Sequence, residues 1–289
     1  NKINKIYFNY KLRKKNPNII HLTYFNEKNF YTSKAKVVIT EYDLIKEKFY
    51  SEKYQDQIEY KRKLFEKADQ IICISNNTKK DMQNEYSIDD SKIAVVHLSV
   101  NKNKNFRERS INIRPFILYV GSRQRYKNFN NTIKAFARSS ILKSNFDFVC
   151  FGGGNFLKTE EDLFKSLLIN RDRIHYFEGD ELDLNFFYRK ARIFIFPSLY
   201  EGFGIPLLEA MNMECPVLCS NSSCFPEIVG DAAVLFDPTD IESIKFKMEK
   251  SIYDDQLLLN LKKKGNINLN NYSWKKCADE TEKLYKKII

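Results

Sequence analysis

The stretch Ile193-Phe-Ile-Phe-Pro-Ser-Leu-Tyr-Glu-Gly-Phe-Gly-Ile-Pro-Leu-Leu-Glu-Ala-Met211 decides how this chain is read. Its first four residues are apolar, aromatic or β-branched, and the run is too short for a helix, so it reads as a buried strand. Gly202 and Gly204 then allow a tight turn and a close backbone approach. Pro206 suits the first turn of a helix, where its missing N–H costs nothing. The segment is therefore a strand, a glycine turn and a helix in succession. The free N–H groups of such a turn, with the positive end of the helix dipole, form a site for an anion such as phosphate.

A Gly-x-Gly loop alone is equally well explained as a tight turn. The dinucleotide fingerprint is not met, because no third glycine follows and no acidic residue ends a second strand. Two carboxylates set the stretch apart. Glu201 precedes the turn, where it can reach into a cleft, and Glu209 lies one helical turn further on, where it can accept hydrogen bonds from ligand hydroxyls such as those of a ribose.

Outward from this loop, short apolar runs alternate with longer amphipathic stretches, the pattern of parallel strands joined by helices. On the amino-terminal side, strands are expected at residues 19–24, 36–40, 70–74 and 92–98. A helix is expected over 79–86, with Asn76, Asn77 and Thr78 as capping residues. Residues 99–115 lose the apolar pattern and read as an interdomain linker. A second series follows, with strands at 116–120, 146–151, 173–177, 193–197, 217–220 and 234–236. Its helices are expected at 130–139, 160–168, 184–190, 206–212 and 241–251. The expected fold class is α/β, with two Rossmann-like, doubly wound domains facing a cleft, and ligands at the carboxyl ends of the strands.

Two more loops follow strands. Gly121-Ser-Arg-Gln-Arg-Tyr-Lys-Asn128 carries Arg123, Arg125 and Lys127, which form a solvated face or, beside a helix N-terminus, neutralise a diphosphate leaving group. Phe151-Gly-Gly-Gly-Asn155 either brings backbone up to the same ligand or turns the chain. No Asp-x-Asp pair occurs, so a diphosphate here has to be neutralised by cations and the helix dipole, not by a bridging Mg²⁺.

The bulk properties narrow the partners. The chain has 289 residues and a net charge of +11, which admits nucleic acid, an anionic membrane surface or phosphorylated small molecules. Its Lys, Asn and Ile bias also fits a purely compositional origin. The six cysteines have no zinc-ligand spacing and read as buried thiols of a reducing compartment, so no metal is expected. No run of apolar residues is long enough to span a bilayer. The opening residues, with Ile3, Ile6, Tyr7 and Tyr10 at helical spacing and no initial Met, read as a helix in mid-fold.

At this point the residues resemble a known family. Glu201-Gly-Phe-Gly-Ile-Pro-Leu-Leu-Glu209 resembles the E-x7-E motif of the retaining GT-B glycosyltransferases of the group 1 type, family 4. The surroundings are similar too: Phe196-Pro-Ser-Leu-Tyr200 before it, then Pro216-Val217, Ser220-Asn-Ser-Ser223, Pro226-Glu227 and Gly230-Asp-Ala-Ala233. Tyr119-Val-Gly-Ser-Arg123 with Lys127-Asn128 is similar to the family's donor-diphosphate loop, above all in its mannosyltransferase-like members. Tyr272-Ser-Trp274 resembles the start of its closing helix.

The resemblance implies a retaining hexosyl transfer from a nucleotide-diphosphate sugar, such as GDP-mannose or a UDP-sugar, to a glycan or lipid-linked acceptor. No cofactor or metal is implied. Carried over by position, Arg123 and Lys127 hold the diphosphate. Gly121, Ser122, Gly202, Phe203, Gly204, Ile205, Pro206 and Leu207 line the donor, Glu209 binds the ribose, and Glu201 contacts the donor sugar. His21, at the end of an apolar run, is a further catalytic candidate, while His97 and His175 are read as structural. Three positions depart from the family pattern: Tyr42 where His is common before Asp43, Tyr126 where Arg is common before Lys127, and Glu214 where Gly is usual.

The expected domains are 1–108, an incomplete acceptor-side domain; 109–272, the nucleotide-sugar domain; and 273–289, a helix packing back on the first. The expected role is cell-surface polysaccharide biosynthesis in the cytoplasm, with the basic surface touching anionic lipid on the inner face of the membrane. The competing reading is a non-catalytic sugar-nucleotide-binding or scaffold protein derived from such an enzyme. Nucleic acid is not an expected partner.

Overall fold

The computed structural model describes residues 14–24 and 34–289. The expected helix around Ile3 to Tyr10 lies outside them. The chain forms two compact units, one from the residues up to Leu98 together with Trp274–Ile289, the other from Ser99–Ser273.

Among its described residues the first unit carries a parallel sheet of four strands in the order β1 (Ile19–Leu22), β2 (Lys36–Glu41), β3 (Gln70–Cys73) and β4 (Ile93–Val95). Apolar side chains fill both faces of the inner strands: Val38, Ile39, Ile71 and Ile72 are buried, as parallel strands covered on two sides require. The helix Asn76–Tyr86 begins one residue after Ser75, whose hydroxyl accepts the Thr78 N–H at 3.0 Å. The final helix, Trp274–Ile288, brings Cys277, Leu284, Tyr285 and Ile288 against Val38, Ile72 and Val96, so both ends of the chain build this core.

The second unit has six parallel strands: β5 (Phe116–Val120), β6 (Asp147–Phe151), β7 (Ile174–Phe177), β8 (Ile193–Phe196), β9 (Val217–Ser220) and β10 (Ala233–Phe236). Their spatial order is β10-β9-β8-β5-β6-β7. The first strand in sequence thus pairs with β6 on one side and β8 on the other, and the winding reverses between β5 and β8. At such a switch point the loops beyond the two strands diverge and leave a crevice. The core beneath is aromatic, with Phe129 edge-on to Tyr119, Phe148 and Phe164 at 5.3, 6.3 and 6.2 Å between ring centres.

The stretch expected as a linker is tied to the second unit. Extended backbone leaves carbonyls that need donors. Asn185 Nδ2 donates to Asn105 O at 2.8 Å and Asn212 Nδ2 to Asn103 O at 3.0 Å, while Lys102 Nζ reaches Leu269 O at 2.8 Å. The chain passes to this unit at residue 99, ten residues earlier than composition suggested, because two buried asparagines on the unit's helices fix the strap.

In the second unit three helices lie outside the expected ranges: Ser140–Asn145, Phe225–Val229 and Asp255–Asn268. The last packs on the helix Ile205–Asn212 at Gly265, where an added Cβ would lie 3.1 Å from Met211 Cγ. Among the described residues no helix is long and apolar enough to cross a membrane.

Candidate active site

The loops after β5 and β8 emerge side by side at the switch point, and the backbone joins them: Leu199 N–H donates to Tyr126 O at 2.7 Å. Their side chains meet as well. Lys127 Nζ lies 2.6 Å from Glu201 Oε1, and the two side chains are only 17 and 14% exposed. Partial burial strengthens such a pair relative to one in open water. Lys127 also stands over the Tyr126 and Phe196 rings at 5.3 and 5.8 Å.

Gly204 takes φ +92 and is the residue preceding the helix Ile205–Asn212, with Pro206 in the first turn. The positive φ favours glycine; a Cβ there would lie 2.9 Å from Leu207 Cδ1, the movable end of a side chain. Phe203 is buried edge-on against Tyr272 at 5.8 Å and anchors the turn. Leu207 is buried beneath the helix, while Ile205 and Pro206 are half-buried at its start. Gly202 lies in the same buried turn.

Glu201 is held through its backbone. Ser223 Oγ accepts the Glu201 N–H at 3.2 Å and lies 2.7 Å from Glu201 O, to which it donates. Cys224 Sγ also reaches that carbonyl, at 3.2 Å, and Ser222 Oγ donates to Leu199 O at 3.0 Å. Ser223 sits at φ +56, a left-handed conformation that L residues adopt at a cost of about 1 kcal/mol, and this turns its hydroxyl toward the loop. In the sequence Ser222 and Ser223 stand out only as part of the family resemblance. Their clamp role becomes visible once β8 and β9 are seen as neighbours.

Glu209, on the helix, accepts a hydrogen bond from Tyr188 OH at 3.2 Å. Burial raises its pKa, and the Tyr188 hydroxyl opposes that shift. The Tyr188 contact had no sequence signal.

Arg123 is placed differently from its expected role. Its side chain is 3% exposed and turned into the glycine loop. Nε pairs with Glu160 Oε1 at 2.7 Å, and the terminal nitrogens donate to Gly152 O, Gly154 O and Asn155 O at 3.2, 2.8 and 2.9 Å. The guanidinium also lies over the Phe156 ring at 4.8 Å. With its donors committed to carbonyls and a buried carboxylate, Arg123 staples the 152–155 loop and does not face the crevice. Of the other two cations of this loop, Lys127 pairs with Glu201 and Arg125 is exposed.

The glycine loop has a packing reason. Gly152, Gly153 and Gly154 take φ +77, +78 and +82, and a Cβ on Gly153 would lie 2.5 Å from Gly121 O and 2.9 Å from Ser122 Cα. Gly153 therefore lets the 152–155 loop press directly on the Gly121-Ser122 backbone. Gly121, at φ +106, donates its N–H to Phe151 O at 2.9 Å.

His21 belongs to the first unit. Its Nδ1 lies 2.5 Å from Tyr285 OH and its Nε2 2.8 Å from Thr40 Oγ1, so both ring nitrogens are engaged. Burial lowers its pKa, which favours the neutral ring that two hydroxyl partners suit. In this arrangement His21 ties β1 and β2 to the final helix. Tyr42, where the family pattern often has His, is 39% exposed beside Asp43.

Five of the six cysteines are buried, and burial pushes the thiols of Cys150, Cys215 and Cys219 upward. Glu214, at the usual glycine position, takes φ +57 and pairs with Lys104 and Arg189 at 3.1 and 2.9 Å.

Comparison with known proteins gives the family and the fold. The family described as Glycosyl transferases group 1 matches residues 100–267, and that described as Glycosyltransferase Family 4 matches residues 3–104. The chain is 33% identical over 177 residues to the O-antigen chain mannosyltransferase B of Escherichia coli, a match covering 59% of this chain and 45% of that protein. It spans 45% of the length of this relative and 28% of that of the serotype-specific mannosyltransferase WbdA of Escherichia coli. Among solved structures, the sucrose-phosphate synthase of Thermosynechococcus elongatus superposes with a TM-score of 0.80 at 19% identity, over 97% of this chain and 76% of that one. Anabaena HepE in complex with UDP and glucose superposes with a TM-score of 0.76 at 14% identity, over 96% and 80%. These likenesses establish the GT-B type of fold. A group 1 match extending over more than half of the chain, on the fold and loops just described, makes this protein a member of the glycosyl transferases group 1 family.

Proposed function

We propose that the protein transfers a sugar from a nucleoside-diphosphate donor to a glycan or lipid-linked glycan acceptor, with retained configuration and without a metal. The observation that carries this reading is the Lys127–Glu201 pair, which puts a cation and a carboxylate together where two strand ends diverge. The helix Ile205–Asn212 starts three residues beyond Gly202 and adds the partial positive charge of its N-terminus.

In this account Lys127, Arg125 and the N–H groups of the Gly202–Gly204 turn neutralise the diphosphate as the bond from sugar C1 to the phosphate oxygen breaks. The bonding electron pair leaves with the phosphate. The acceptor hydroxyl forms the new C1–O bond on the same face, and its proton passes to the departing phosphate oxygen. Glu201 accepts hydrogen bonds from donor-sugar hydroxyls, and Glu209 accepts those of the ribose. Arg123 contributes indirectly, by holding the glycine loop against Gly121 and Ser122.

The likeness to an O-antigen mannosyltransferase supports a mannosyl donor and a role in cell-surface polysaccharide assembly. The structure of HepE with UDP and glucose supports a nucleotide-sugar donor more generally. A cytoplasmic location, with basic residues touching anionic lipid near a lipid-linked acceptor, completes the reading. The test is incubation of the full-length protein with GDP-mannose, UDP-glucose, UDP-galactose and ADP-glucose in chelator, with nucleoside diphosphate release measured. Release from one donor is expected; release from none overturns the proposal, and release only with added Mg²⁺ overturns its metal-free part.

A further inference from the structure

The second unit holds a cavity of about 360 Å³ at the amino ends of its strands. This is within the roughly 300–1,000 Å³ range of small-ligand pockets. Pro115, Arg192 and Pro216, the residues just before β5, β8 and β9, form part of its wall. The loops that carry Lys127 and Glu201 leave β5 and β8 at their carboxyl ends. The cavity therefore lies at the opposite end of the same two strands, about 15 Å or more away.

The lining selects the ligand's charge. Among the described residues it holds four cations, Arg189, Lys190, Arg192 and Lys262, against one carboxylate, Asp255. Lys262 is half-buried and has no ion-pair or hydrogen-bond partner among the described residues. The other three cations are paired, Arg189 with Glu214 at 2.9 Å, Lys190 with Glu108 at 3.0 Å and Arg192 with Asp255 at 2.6 Å. Glu108 and Asp255 are exposed, and exposed pairs hold by only about 0–1 kcal/mol, so an entering anion displaces these carboxylates at little cost. Arg192 is already in position, because its Nε donates to Ile252 O at 2.8 Å and fixes the guanidinium. The helix Glu181–Lys190 ends here, and its C-terminal partial charge repels anions, but Arg189 and Lys190 in its last turn outweigh that charge. Pro115, Pro216, Leu258 and Leu259 make the rest of the wall apolar, which lowers the local dielectric and strengthens the field of the cations. On a flat surface such cations are a solvated face. Here they converge on a concavity, and one of them lacks a counterion.

We propose that this cavity binds a phosphate group, with the terminal nitrogens of Arg192 as its fork of donors and Lys262 as its point charge. The phosphate belongs to a soluble phosphate ester or to the headgroup of an anionic lipid, and the cavity answers to the same chemistry in both. This site is separate from the donor loops and does not depend on the glycosyl-transfer reading.

The experiment is phosphorus NMR titration of the full-length protein with inorganic phosphate and with glycerol 3-phosphate at fixed ionic strength, beside sedimentation with vesicles of phosphatidylglycerol in phosphatidylcholine. Saturable binding of a soluble phosphate, or retention on the anionic vesicles, is expected. It should be unchanged in Lys127→Ala and about tenfold or more weaker in Arg192→Gln and in Lys262→Gln, the loss of one charge-assisted contact. Binding of the soluble phosphates identifies a free ester as the source, and retention on the vesicles alone identifies a lipid headgroup. The proposal is overturned if neither binds, if Lys262→Gln binds as the wild type does, or if Lys127→Ala removes binding, which assigns the phosphate to the donor loops. Lys262 makes no bond within the described fold, so Lys262→Gln decides the matter even if Arg192→Gln fails to fold. No nucleotide sugar enters the measurement, so failure of donor turnover leaves this result standing, and the reverse also holds.

Discussion

Lys127 Nζ and Glu201 Oε1 stand 2.6 Å apart, each on a loop that follows one of the two strands flanking the switch point of the second sheet. A diphosphate entering there competes with Glu201 for the ammonium group. Glu201→Gln removes the competing charge and the strongest acceptor for sugar hydroxyls together. It is expected to bind nucleoside diphosphate as tightly as the wild type or tighter, while turnover falls about a hundredfold. Calorimetry with the diphosphate and steady-state rates check the two halves separately.

Arg123 was expected at the diphosphate and instead closes the glycine loop from inside. Removing one partner of a buried ion pair costs about 3–5 kcal/mol. Arg123→Ala is therefore expected to lower unfolding free energy by about 3 kcal/mol in a denaturant titration. At a temperature where the variant stays folded, donor affinity should shift less than that of Lys127→Ala.

The three consecutive glycines separate conformation from contact. Gly152 takes φ +77 with open space around its missing Cβ, whereas Gly153 has the Gly121 carbonyl at 2.5 Å. Gly152→Ala is expected to cost about 1–2 kcal/mol, the left-handed penalty. Gly153→Ala should cost more than that and also weaken donor binding, because the backbone it displaces belongs to the Gly121-Ser122 loop. Paired denaturation curves and donor titrations decide this.

Ser223 holds Glu201 by its backbone N–H and carbonyl and has no other part in the proposed chemistry. Ser223→Ala is expected to lower kcat about tenfold with donor KM within twofold, since the phosphate-binding groups stay in place. A matched rise in KM with unchanged kcat contradicts a positioning role for it.

Much of the architecture was legible because parallel strands buried on both faces leave continuous apolar runs. Phe116–Val120 and Val217–Ser220 begin and end where the pattern says. The helix Ile205–Asn212 starts one residue before Pro206, because Gly204 in a left-handed conformation precedes it. The helix Asp255–Asn268 went unread: its apolar stripe is interrupted by Lys262, Lys263 and Lys264, and Gly265 breaks the propensity where packing against Met211 demands it. Within the site, residue types and their loops could be read, but rotamers could not. The sequence places Arg123 and Lys127 four residues apart on one loop and contains no sign that one turns inward to Glu160 while the other meets Glu201. That division depends on Glu160, which lies beyond the next strand.

On the proposed mechanism the Lys127 ammonium group receives the donor's diphosphate. The decisive measurement is calorimetric titration of the full-length wild-type protein and of Lys127→Ala with the nucleotide sugar that supports turnover. One-site binding to the wild type is expected, weakened about tenfold or more in Lys127→Ala, in line with the loss of a charge-assisted hydrogen bond. Equal affinity in the two proteins, both folded, contradicts it.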